Sequence, residues 1–240
     1  MKRSALAIGL LLFASAASAA EIRSYAVRIE AHPDGSGSVS AVVQIESATP
    51  GAIAIPLGFA TVADLRMIEG PAGTVLSASA ANGQSLVQAV VPGGAPAALT
   101  IAFAFTTKDV FLPVAPASGE KSTLPEGSRV LRHAVMNSQP APIRSYKAEA
   151  VFPEGLRAHA VREALPRLRK AEAGPRVLLD DIDGKTGARL QVDRLLQGES
   201  ASMQVELVPQ GRSVAWLIAG LVLSLAYLVY FRDLVARRGQ

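Results

Sequence analysis

The 240-residue chain contains no cysteine, a single tryptophan and few aromatic residues, 5% in all. The missing cysteines exclude a disulfide framework, Cys-ligated zinc, an iron–sulfur cluster and a thiol nucleophile. Charge is also sparse at 18%, too little for a coiled coil. The apolar half of the composition and a mean hydropathy of +0.29 exclude a disordered chain. There is no H-E-x-x-H zinc motif and no G-x-S-x-G nucleophile elbow. The three histidines, His32, His133 and His159, are too far apart in sequence for metal-ligand spacing.

The net charge of +4 is unevenly placed. Lys2 and Arg3 open the chain, and Arg232, Arg237 and Arg238 close it, with Asp233 the only acid there. Between Glu21 and Arg212 nineteen basic residues meet nineteen acidic ones. The excess therefore marks two ends that look like membrane topology signals, and no nucleic-acid partner is expected.

Residues 1–20 join a basic start, an apolar stretch from Ala5 to Phe13 and a run of Ala and Ser. This is the pattern of a secretory signal peptide, with small residues placed for cleavage after Ala19 or Ala20. An uncleaved anchor is the alternative. Residues 213–231 carry no charge and as a helix would extend about 28 Å, enough to cross the hydrocarbon core. Trp216 lies near one end and Tyr227, Tyr230 and Phe231 near the other, followed by the basic tail 232–240. The expectation is one transmembrane helix with the body outside the cytoplasm and the C-terminus inside. A buried core helix is the alternative. Ala215 with Ala219, and Gly220 with Ser224, form small-xxx-small pairs, a candidate helix-packing face.

Between these segments the apolar residues alternate in short runs. Ser24–Glu30 and Val39–Ile45 flank Asp34-Gly35-Ser36-Gly37, a hairpin signal. Runs at Ile53–Leu57, Leu65–Ile68, Thr74–Ala78, Leu86–Val91 and Leu99–Phe105 are bounded by Gly, Pro or Asn. Residues 112–128 are rich in Pro and Gly and read as a linker or long loop. A second series follows at Val130–Met136, Ser145–Phe152, Leu156–Val161, Val177–Ile182, Ala188–Val192 and Ser202–Val208. Arg157–Ala173 is open to a helix or a strand, with Pro166 favouring strand.

The expected fold is all-β: one or two immunoglobulin-like β-sandwich units, 21–111 and 129–210, ahead of the C-terminal transmembrane helix. Leu195–Leu207, a Gly-Glu-Ser turn before an alternating strand, resembles the end of exported immunoglobulin-like modules. The resemblance implies a fold class and no particular family. The halves differ in charge. Five basic residues face nine acidic ones from Glu21 to Ser128, and fourteen face ten from Arg129 to Arg212. Two units could dock through this difference, within the reach that salt screening allows.

Several chemical motifs are incomplete. Gly184-Lys185-Thr186 lacks the upstream Gly of a phosphate loop, whose place Leu179 holds. Ile182-Asp183-Gly184-Lys185 reads instead as a hairpin turn. Asp180, Asp181 and Asp183 do not fit an EF-hand and read as turn acids, a looser calcium site being the alternative. Ser118-Gly119-Glu120-Lys121 matches S-x-x-K without its partner motifs. No catalytic, cofactor or metal site is expected. Arg157, Arg162, Arg167, Arg169, Lys170 and Arg176, diluted only by Glu163 and Glu172, form a candidate interaction surface for an acidic partner or anionic lipid. A solvated face is the alternative.

Absent N-x-S/T sequons and the Ala/Arg-rich composition point to a bacterial chain. The expected function is non-enzymatic: an inner-membrane protein with a periplasmic body, acting as an interaction or accessory subunit of an envelope complex. The competing reading is a periplasmic small-molecule or polymer-binding sensor module.

Overall fold

The computed structural model describes residues 21–46, 51–81, 84–93, 98–113, 124–164, 176–210, 220–228 and 230–231. These residues are mostly β, with helix confined to 220–228 and 230–231. The first seven strands are β1 (Glu21–Ala31), β2 (Gly37–Glu46), β3 (Gly51–Pro56), β4 (Ala63–Glu69), β5 (Val75–Ala81), β6 (Gln84–Val91) and β7 (Leu99–Thr107). They continue as β8 (Phe111–Pro113), β9 (Arg129–Met136), β10 (Ile143–Val151), β11 (Leu156–Ala164), β12 (Arg176–Ile182), β13 (Lys185–Val192) and β14 (Ser200–Pro209).

The expected short strands are all present, because the alternation of apolar and polar residues sets which face each presents. In β2, Val39, Ala41, Val43 and Ile45 are buried while Ser40, Val42 and Gln44 point outward. In β1 the phase shifts at a bulge between Ile22 and Ser24, which leaves Ile22, Tyr25, Val27 and Ile29 all inside. The β1–β2 turn closes as expected. His32 N–H donates to Ser36 O at 2.9 Å, Gly35 takes a φ of +95°, and Asp34 accepts from Ser36.

Among the described residues the strands form three sheets. The largest runs β12-β13-β10-β1-β2-β7-β4, a second runs β11-β14-β9-β8, and a third runs β3-β6-β5. Inward residues of all three join one buried apolar cluster. The expected units 21–111 and 129–210 share both sheet and core. β1 pairs parallel with β10, setting Tyr25 against Tyr146, Val27 against Ala148 and Ile29 against Ala150. Ion pairs cross between the halves in both senses, a second-half base on a first-half acid and the reverse. Arg144 bonds Glu21 at 2.6 Å and Arg28 bonds Asp183 at 2.5 Å.

Of the expected linker, Leu112 and Pro113 end β8 and 114–123, with the Ser118–Lys121 motif, lie outside the described residues. The strand reading of Arg157–Ala173 holds for β11, and 165–175 lie outside. The signal segment 1–20 and tail 232–240 also lie outside. Among the described residues no helix is long and apolar enough to cross a membrane. Within 213–231 only 220–228 and 230–231 are described. There Ser224 Oγ donates to Gly220 O at 2.8 Å along the helix. Ala215 and Ala219 lie outside.

Candidate functional site

The residues with chemical potential divide into a buried cluster, an outer sheet face and the turns. In the core, β1 and β10 place Tyr25 and Tyr146 side by side, ring centroids 5.3 Å apart in an edge-on contact. Tyr25 donates to Pro56 O at 2.7 Å. Tyr146 Oη shares a hydrogen bond of 2.5 Å with His133 Nε2 from β9. Phe59 stacks obliquely on the imidazole at 4.9 Å. Burial pushes both phenols upward and drives His133 down from 6.5 to about 4, so the imidazole is neutral at ordinary pH. Sealed from solvent, this cluster ties the sheets together. The His133 strand position was legible in sequence; its partners were not, because Tyr146 arrives from another sheet and Phe59 from the segment after β3.

The turn acids are engaged locally. Asp183 and Gly184 take φ of +54° and +79°, and Ile182 pairs with Lys185, so the expected two-residue hairpin forms. Asp181 Oδ1 accepts from Gly184 N–H, Asp183 binds Arg28, and Asp180 lies 3.0 Å from Arg189. Among the described residues no group of three His, Cys, Asp or Glu is placed to hold a metal ion.

The basic candidates are spread over different sheets. Arg157 is exposed on β11, the edge of the four-stranded sheet. Arg162 lies opposite Gln204 on the same strand, whereas Arg176 lies opposite Gln191 at the far edge of the seven-stranded sheet. Arg167, Arg169 and Lys170 lie outside the described residues.

The outer face of the seven-stranded sheet is the feature that sequence reasoning missed. At its β10–β13 side, Lys147 and Arg189 contact Glu149 at 2.8 and 2.9 Å. The Lys147 hydrogen bond, then the nearby cations, hold Glu149 below the usual carboxylate range. Toward β7 the side chains shorten to Ser38, Ser40, Ala104 and Thr106. Edge strand β4 carries irregularities at Ala63/Arg66 and Met67/Glu69, and Asp64 sits at a φ of +53°. A groove of about 530 Å³ opens there, lined among others by Glu30, Ser40, Asp64, Arg66, Ile68 and Thr106. Thr106 donates to Asp64 at 3.0 Å, and Ile68 stands 61% exposed. The one sequence signal was Asp64 and Arg66 two apart; the small floor comes from other strands.

No family model matches the chain, and no curated protein matches it. Solved structures with a similar course include a putative protease from Parabacteroides distasonis, at TM-score 0.47 and 15% identity. That match covers 81% of this chain and 41% of the other. Yeast LTA4 hydrolase matches at TM-score 0.44 and 9% identity, over 79% of this chain and 29% of its own. A putative nutrient binding protein from Legionella pneumophila matches at TM-score 0.46 and 12% identity, over 79% and 67%. The chain thus spans less than half the length of the first two. None of these likenesses reaches a TM-score of 0.5, and the functional reading rests on the chain's own residues.

Proposed function

We propose that this chain is a membrane-anchored periplasmic β-sandwich protein of the bacterial inner membrane, a non-enzymatic interaction or accessory subunit of an envelope complex. Its signal segment 1–20 directs export, and the apolar stretch 213–231 anchors it with the short basic tail in the cytoplasm. The observation that carries the interaction reading is the open groove beside β4. It combines two acids, a base and an exposed Ile68 around a floor of small side chains. Such a mixed, accessible surface suits a segment of another protein. The immunoglobulin-like character belongs to this proposal as well: a rigid β body that presents a face while the anchor fixes its height.

The test is affinity purification from the native membranes in mild detergent, comparing wild type with Ser40→Arg and Ala104→Arg. We expect a stoichiometric envelope protein with wild type and at least a tenfold loss with both variants. Recovery of the chain alone, or a partner indifferent to both substitutions, overturns the reading.

A further inference from the structure

The body has two ends, and its last strand decides which of them meets the bilayer. β14 finishes at Pro209, and Gln210 N–H donates to Gly155 O at 2.7 Å, pinning the chain to the β10–β11 turn. Only Gly211 and Arg212 separate that pinned residue from the apolar stretch beginning at Ser213. Three peptide steps reach at most about 11 Å. The headgroup layer on one side of a bilayer is about 5–7 Å thick. Trp216 lies close to the start of the stretch, where interfacial aromatics belong.

The same end gathers other turns. Leu156 pairs with Pro209, and a Cβ on Gly127 would stand 3.4 Å from the Pro209 ring. The β12–β13 turn adjoins β10 through a 3.0 Å bond from Phe152 N–H to Thr186 O. Glu154, Gly155, Gly184, Lys185 and Gln210 line one hollow of about 420 Å³. Arg157, Lys185 and Lys108 are exposed cations at this end. Of its acids, Asp34, Asp109 and Asp183 accept hydrogen bonds from within the body, and Glu154 is exposed beside the cations.

We infer that the β10–β11 and β12–β13 turns, with Arg157 and Lys185, form a docking face that rests on the phospholipid headgroups. The inference rests on the reading of 213–231 as a membrane span. A tether this short leaves the pinned turn no room to stand clear of the surface, and exposed cations beside it suit lipid phosphates. The opposite end, with the β13–β14 turn at Gln197, then points away from the membrane.

The absence of cysteine makes single-cysteine labelling clean. The full chain is reconstituted in phosphatidylethanolamine–phosphatidylglycerol vesicles carrying headgroup nitroxide lipid. Glu154→Cys, Lys185→Cys and Gln197→Cys each receive an environment-sensitive fluorophore. We expect several-fold quenching at positions 154 and 185 and none at 197. Two near sites guard against one variant folding poorly. If the protein withstands carbonate extraction while 154 and 185 stay as unquenched as 197, the docking face is overturned and the span stands. If carbonate releases the protein, the span fails and the inference falls with it.

Discussion

His133 carries the sharpest consequence of burial on a single side chain. Its imidazole is sealed against Tyr146 and Phe59 with a pKa of about 4, against an ordinary 6.5 when unfolded. Between those values the unfolded chain binds more protons than the folded one. Stability is therefore complete above pH 6.5 and declines as pH falls toward 4, by about 3 kcal/mol in all. Urea unfolding of the purified protein at pH 7 and pH 4.5 should show this loss. The double variant His133→Phe with Tyr146→Phe should flatten the pH response, because neither a buried imidazole nor an orphaned hydroxyl remains. An unchanged pH slope in that variant would sink the account. No local pattern announces such a residue, since its strand run Val130–Met136 differs little from its neighbours.

Within the elements, two glycines separate local conformation from tertiary contact. Gly184 has a positive φ in the β12–β13 turn but open space around it. Gly58, after β3, has a φ of +73°, and an added Cβ would lie 2.4 Å from Ala134 O on β9. Gly184→Ala should cost about 1 kcal/mol, the conformational penalty alone. Gly58→Ala should cost more than about 2 kcal/mol, because backbone must move apart as well. Comparing the two urea midpoints checks the order; equal losses would contradict it. The Gly184 turn was readable from Asp183-Gly184 between alternating runs. The Gly58 requirement was not, because its obstacle lies more than seventy positions along the chain.

On the scale of the whole molecule, the parallel β1–β10 pairing makes the halves interdependent. β1 sits at the middle of the seven-stranded sheet, between β10 and β2. A fragment ending at Pro113 exposes the β1 edge and the apolar faces of Tyr25, Val27 and Ile29. We expect residues 21–113 alone to give the poorly dispersed amide spectrum of an unfolded or aggregated chain, and co-expression with 124–240 to restore dispersion. A well-dispersed spectrum from the fragment alone would show that each half folds independently. The groove beside β4 belongs to this scale too, since its walls come from four strands.

The amino-acid order by itself determined the β-rich class, nearly every strand and the β1–β2 and β12–β13 turns. These depend on side-chain alternation and turn chemistry over a few neighbouring residues. Only the tertiary structure decided that the halves share a sheet, that Arg162 and Arg176 stand on separate sheets, that Tyr146 meets His133, and that a groove opens at Asp64. Each of those depends on a non-local register. Val27 against Ala148 and Ile29 against Ala150 is a matching of large to small across the sheet, and no short window of sequence contains both partners.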